Sequence, residues 1–169
     1  KLSLSKREDD GYAENVIDGE NLHDTDNISG RGQLLWYPSE EIELLLGYDF
    51  SRDDNNGNCR IVGHLQQDGR ASAQALAPLY EAAIDQYTQG DIRECANSVD
   101  TYQERDIDGF TAKLDYHFPD MTLTAISGWR SSDYEWQDNL GGLPAGAAPL
   151  DISDRAAEDA SQFSQEIRL

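Results

Sequence analysis

Apolar and polar positions alternate with period two over two neighbouring runs, residues 27–37 and 41–51. In the first, Ile28, Gly30, Gly32, Leu34 and Trp36 take one phase, and Ser29, Arg31, Gln33, Leu35 and Tyr37 the other. In the second, Ile42, Leu44, Leu46, Tyr48 and Phe50 are set against Glu41, Glu43, Leu45, Gly47, Asp49 and Ser51. Successive side chains of a strand point to opposite faces, so each run has one apolar or small face and one mostly polar face. Pro38-Ser39-Glu40 between them forms a tight turn, where a missing N–H does the ladder no harm. Each run is about ten residues long, the length of a tilted strand that crosses a bilayer. Trp36 sits near one end of the apolar face and Tyr48 and Phe50 near the other, as an interfacial girdle would. The pattern predicts a transmembrane β-hairpin.

The same pattern returns downstream. Phe110, Ala112, Leu114, Tyr116 and Phe118 share one phase, with Thr111, Lys113, Asp115 and His117 opposite. After Pro119-Asp120, Leu123, Ala125, Ser127 and Trp129 alternate with Thr122, Thr124, Ile126, Gly128 and Arg130. Leu2 and Leu4 open the chain in alternation, and Phe163, Gln165, Ile167 and Leu169 close it. The expected fold is all-β: an antiparallel up-and-down meander of about six strands, near 1–8, 27–37, 41–51, 106–118, 121–135 and 161–169. Very short turns at one end (37–40 and 118–121) face long connections at the other (9–26, 52–105 and 137–160). Outer-membrane barrels sort their turns and loops in this way. Six strands fall short of the smallest such barrel, and lipid tolerates no open edge. Residues 1–169 are therefore expected to be a partial barrel domain from a longer chain, an expectation the alternating start Lys1-Leu2-Ser3-Leu4-Ser5 shares. Within 52–105, Pro78 is placed to begin a short helix with Leu79, Tyr80, Ala83, Ile84 and Tyr87 on one face and Gly90 as its stop.

Composition alters this picture in two ways. An apolar fraction of 38% and a formal charge of −20 require much of the chain to face water. That acidity argues against nucleic acid, which is met by basic patches, and against docking on anionic lipid surfaces. No apolar run approaches the length of a transmembrane helix, an absence with no bearing on barrel strands.

Chemistry-bearing signals are few. Cys59 and Cys95 fall in one polar connection, which points to a disulfide in an oxidising compartment, with two free buried thiols as the alternative. The Asp53–Asn58 stretch resembles a calcium loop in composition, but with Gly57 as its glycine the first ligand position is Arg52. His23, His64 and His117 lie in separate segments without metal-ligand spacing. Gly-x-Ser-x-Gly, P-loop and GxGxxG signatures are absent. No catalytic residue, metal or cofactor is expected.

Several short phrases together resemble the TonB-dependent outer-membrane receptors. They are Asp10-Gly11-Tyr12 with Asn15, Arg31-Gly32-Gln33-Leu34 followed by Trp36 and Pro38, Thr122-Leu123-Thr124 followed by Gly128-Trp129-Arg130, and above all Ser164-Gln165-Glu166-Ile167-Arg168-Leu169. The resemblance implies a bacterial outer-membrane location and a barrel of 22 strands around an N-terminal plug. It further implies TonB-energised import of a scarce nutrient such as a ferric siderophore, haem, cobalamin or a carbohydrate. The 169 residues contain neither a plug nor a TonB box, so the resemblance makes them an internal part of the barrel wall. Its expected partners are outer-membrane lipid, the rest of the barrel and plug, the TonB complex and a small nutrient.

In that setting Arg31, Gln33, Glu43, Lys113, Arg130, Glu166 and Arg168 are expected to face the lumen. Tyr80, Tyr87, Tyr102, Tyr134 and Trp136 are candidate ligand-binding aromatics of the extracellular loops. The competing expectation is a secreted or surface-displayed β-sheet module that binds without transport, through the disulfide-held loop.

Overall fold

A computed structural model describes residues 1–61, 71–88, 91–147 and 152–169. The chain runs through β1 (Leu2–Asp9), β2 (Ala13–Asn15), β3 (Asn21–Leu22), β4 (Thr25–Ser39), β5 (Ile42–Asn55), α1 (Ala71–Tyr87), β6 (Glu94–Cys95), β7 (Tyr102–His117), β8 (Thr122–Asn139) and β9 (Ser153–Arg168). One antiparallel sheet orders six of these as β1-β4-β5-β7-β8-β9. A small sheet, β3-β2-β6, is built from the two connections that follow β1 and β5. All-β is thus the fold class, with one helix; the sheet is open, with β1 and β9 as free edges.

Register aligns the alternating runs into rows that cross the sheet. On one face, Leu2, Gly32, Tyr48, Phe110, Trp129 and Phe163 are neighbours strand by strand. Below them run Leu34, Leu46, Ala112, Ser127 and Gln165, then Trp36, Leu44, Leu114, Ala125 and Ile167. A slip of one residue in any pair would throw its whole apolar set to the other face, which is why the pattern specifies register so strongly. From Ile42 to Phe50 this apolar belt is about 27 Å long, measured along the strand at ~3.4 Å per residue. Nothing covers it among the described residues: Leu2 is 84% exposed, Leu34 60% and Phe163 66%.

The strands outrun the belt. β8 continues to Asn139 and β9 begins at Ser153, so both ends of the 137–160 connection are strand, and β5 and β7 likewise extend into 52–105. These extensions are mostly charged or polar, with only scattered apolar positions such as Trp136, Ala156 and Ala157, which leaves a weak hydropathy signal of the strand. Pro38 lies where the β4–β5 register shifts between Trp36 and Ser39, so it occupies an irregularity just before the turn.

The helix departs from expectation. It begins at Ala71 rather than Pro78, and Pro78 lies inside it; Gly90, its expected stop, is outside the described residues. Among the helix positions whose burial is described, Ala77 and Ala83 are buried and Leu79 is 52% exposed, so the packed face is rotated away from Leu79. Among the described residues no helix is long and apolar enough to cross a membrane, which says nothing of crossing by strands.

What core there is sits in the small sheet. Ala13, Leu22, Cys59 and Cys95 are buried together, and Cys59 is disulfide-bonded to Cys95. Asn15, 3% exposed, ties the two connections: its Nδ2 donates to the Asn97 carbonyl at 3.0 Å and its Oδ1 accepts from the Asn97 N–H at 2.9 Å. His23 adopts a left-handed φ of 59°, stacks on Tyr12 at 4.9 Å and accepts a hydrogen bond from the Cys59 N–H at Nε2. The 9–26 connection, expected to be a plain polar linker, is half of this cap.

Candidate functional site

The belt face and its reverse differ chemically at every level. On the belt face an aromatic ladder runs through Phe50, Tyr48, Phe110 and Trp129, with successive ring centroids 4.7–6.1 Å apart. Arg52 lies 5.7 Å above the Phe50 ring, donates to Asp108 at 2.7 Å and pairs with Asp106 at 3.4 Å. Above that level the same face turns acidic: Asp106, Asp133 and Asp159 stand directly opposite one another on β7, β8 and β9, with Glu104 and Glu135 paired beyond them. Like charges set opposite across strands repel. A hydrogen bond with Asp159 is the main cause that raises the Asp133 carboxyl above its ordinary value, with burial and nearby carboxylates adding to it. Glu135 is held below the usual range, first by the Tyr102 hydroxyl and then by Arg155, both of which donate to it.

A hollow of about 720 Å³ opens on the belt face at the aromatic row, lined by Leu2, Gly32, Leu46, Tyr48, Phe110 and Phe163 among others. Its walls are almost wholly apolar, so it has no means to orient a polar substrate. Gly32 supplies the space: a Cβ there would meet only the Leu2 side chain, at 3.8 Å.

The reverse face carries all seven residues expected to share the lumen side. Arg31 pairs in register with Asp49, Asp49 with Gly109, and Gly109 with Arg130. Arg130 reaches over Gly109 to donate to Asp49 at 2.5 Å, skipping a strand. Glycine leaves room for this: a Cβ on residue 109 would lie 2.9 Å from Arg130 Nη2 and 3.0 Å from Asp49 Oδ2, and the arginine would have to shift. One row down are Gln33, Gly47, Thr111, Gly128 and Ser164, all but the first small. Lower still Lys113 binds Asp115 at 2.6 Å, and the Thr124 hydroxyl donates to the same carboxylate at 2.5 Å. Glu43 and Arg168 lie in the Asp115 row, and Glu166, bonded by Arg168, in the Lys113 row. His117 sits at the lower end of this face, its Nδ1 3.1 Å from the Thr122 hydroxyl.

The candidate ligand-binding aromatics do not converge, and three are not in loops. Tyr102 opens β7, and Tyr134 and Trp136 lie within β8, because the ladder extends farther than hydropathy indicates. By register Tyr134 and Trp136 fall on the Arg31–Arg130 face and Tyr102 on the other. Tyr80 and Tyr87 are half-buried on α1. His64 lies outside the described residues. Among the described residues no group of three or more His, Cys, Asp or Glu is placed to hold a metal ion. Sequence reasoning missed Asp49 and Gly109 as parts of the arginine row. The polar phase of the first hairpin contains Asp49, but the cross-strand register that brings in Arg130 is not a local signal.

No protein-family model, curated protein or solved structure matches the chain.

Proposed function

We propose that the chain forms part of the wall of a TonB-dependent receptor barrel in the bacterial outer membrane. The belt meets lipid and the arginine-bearing face meets the water-filled or plug-filled interior. The observation that carries this reading is the single-layer sheet with an uncovered apolar belt, bounded by aromatic rows and topped by charge on the same face. Soluble monomers rarely leave so continuous an apolar surface open. Short turns below and long acidic connections above give the expected polarity, with the disulfide-held cap outermost. The apolar hollow at the aromatic row suits an acyl chain. The whole receptor would import a scarce nutrient (a ferric siderophore, haem, cobalamin or a carbohydrate) with the plug and the TonB complex as partners, and would have no catalytic role of its own.

A surface-displayed binding module is the second reading, and the disulfide-tied cap is what favours it. The three tryptophans separate the two. Trp36 and Trp129 belong to the belt face and Trp136 to the reverse. In single-tryptophan versions folded in micelles of brominated-chain lysolipid, Trp36 and Trp129 should be quenched and Trp136 should not. Equal quenching of all three, or a chain that stays monomeric and folded without detergent, would favour the binding module and reject the barrel wall.

A further inference from the structure

The polar face holds a recess of about 490 Å³ lined by Ser3, Ser5, Ser29, Arg31, Asp49, Thr111 and Arg130, together with Gly30 and with Leu4 and Phe50, whose side chains belong to the belt face. We propose that this recess binds the carboxylate of a hydroxyl-rich small molecule, of the sugar-acid class, between the Arg31 and Arg130 guanidinium groups. The proposal rests on the reading that this face is the aqueous one, and deepens it by naming the ligand chemistry that face takes.

Three observations carry it. The first is charge. In a chain of formal charge −20, this row places Arg31 and Arg130 in the lining of one recess with a single carboxylate, Asp49, between them, so the local sign is reversed. Arg31 has no carboxylate partner among the described residues, while Arg130 uses one amino group on Asp49. Guanidinium groups present planar, paired donors that match a carboxylate. The second is the hydroxyl lining. Ser3, Ser5, Ser29 and Thr111 give and accept hydrogen bonds, and Asp49 accepts them from ligand hydroxyls. A dianionic phosphate would be repelled by Asp49, so a monoanionic, hydroxylated ligand suits the set better. The third is the absent side chain of Gly109. It lets Arg130 lie across β7 instead of projecting away, which fixes a donor at the floor of the recess. The volume lies in the range of small-ligand sites.

The test is isothermal titration of the full chain in micelles with galacturonate, with galactose, acetate and inorganic phosphate as comparisons. Galacturonate should bind in the millimolar range with at least tenfold preference over each comparison. Arg31→Gln and Arg130→Gln should each weaken it at least tenfold, and Lys113→Gln, lower on the same face, should leave it unchanged. Gly109→Ala keeps every charge but displaces Arg130; it should weaken binding with the far-ultraviolet dichroism intact, which keeps the test decisive if an arginine variant misfolds. Equal affinity for galactose, acetate or phosphate would overturn the proposal, as would undiminished binding by the Arg31→Gln/Arg130→Gln double variant or no binding by the folded chain. The tryptophan quenching pattern is independent of all these titrations. A chain that quenches as expected but ignores galacturonate would refute this inference alone.

Discussion

Leu46→Arg is the perturbation that tests the two faces most directly. Leu46 sits in the middle row of the belt, four residues from Ile42 below and four from Phe50 above. At ~3.3 Å per residue that is about 13 Å of strand in each direction. An arginine stem does not extend so far, so the charge cannot snorkel to water or to the acidic band. A charge at the midplane of a lipid-facing strand costs roughly 2–4 kcal/mol, which is roughly 30- to 700-fold in the folding equilibrium. Gln33→Arg is the matched control. Gln33 pairs with Gly47, one residue from Leu46 in depth but on the opposite face. A substitution on a wet face should stay within about 0.5 kcal/mol. Urea titration in phosphocholine micelles gives both values as midpoint shifts at constant slope. If the two variants lose stability equally, or if Leu46→Arg leaves the midpoint in place, the assignment of the belt to lipid is refuted.

Three more outcomes follow from the cap and the upper strands. Gly57 has φ +83°, and a Cβ there would lie 2.7 Å from the Thr101 carbonyl carbon and the Tyr102 nitrogen, so Gly57→Ala should cost at least about 2 kcal/mol, read from thermal melts as loss of the cap before the sheet. Replacing Cys59 and Cys95 by serine opens a loop with a separation of 36 residues; about 3–4 kcal/mol of chain-entropy stabilisation should be lost, and amide exchange should speed up in β2 and β6 but not in the belt portions of β7 and β8. The Asp133 carboxyl, raised above its ordinary 3.8, makes the folded state bind more protons than the unfolded one; pairing of β8 with β9 should therefore weaken as pH rises from 3.8 through the raised value, by amide exchange, and Asp133→Asn should abolish that dependence. Glu135 acts in the opposite sense, its contribution being lost only as pH falls below the ordinary glutamate value, so a single trend that runs through both windows would contradict the assignments.

The belt was legible because its alternation is strict: Ile42 to Phe50 and Phe110 to Phe118 each keep one apolar phase, and any odd slip between them would put the two sets on opposite faces. The far ends of the same strands were not, since Gln137 to Asn139 and Ser153 to Ala160 are polar, charged or alanine and lack a clear two-residue alternation. The small sheet was hidden for a different reason. Its strands of two or three residues form only because Ala13 and Leu22 pack against a disulfide more than thirty residues away, a tertiary cause without a local pattern. Pro78 misplaced the helix start because proline is favoured in a first turn, yet the buried alanines show that packing carried the helix past it. Of the polar face, the residue types were legible and their grouping was not, because Arg31 and Arg130, ninety-nine positions apart in sequence, share one row with Asp49 and a glycine between them.

The small sheet has a consequence for how this chain tolerates change in length. β2 runs parallel to β6, and Asn15 clasps Asn97, so the connection after β1 and the one between β5 and β7 are a single woven piece. An insertion between residues 10 and 24 cannot simply bulge into solvent; it must shift the partner segment at 94–97 or unpick the weave. The stretch at 140–147 is bound more lightly: Asn139 accepts from the Gly141 and Gly142 N–H groups and closes its own turn, and the Ala145 N–H donates to the Ser98 hydroxyl at 3.0 Å beside the weave. The two woven loops can be re-engineered only as a pair, and a change in the 140–147 corner has to keep Ser98 within reach of Ala145.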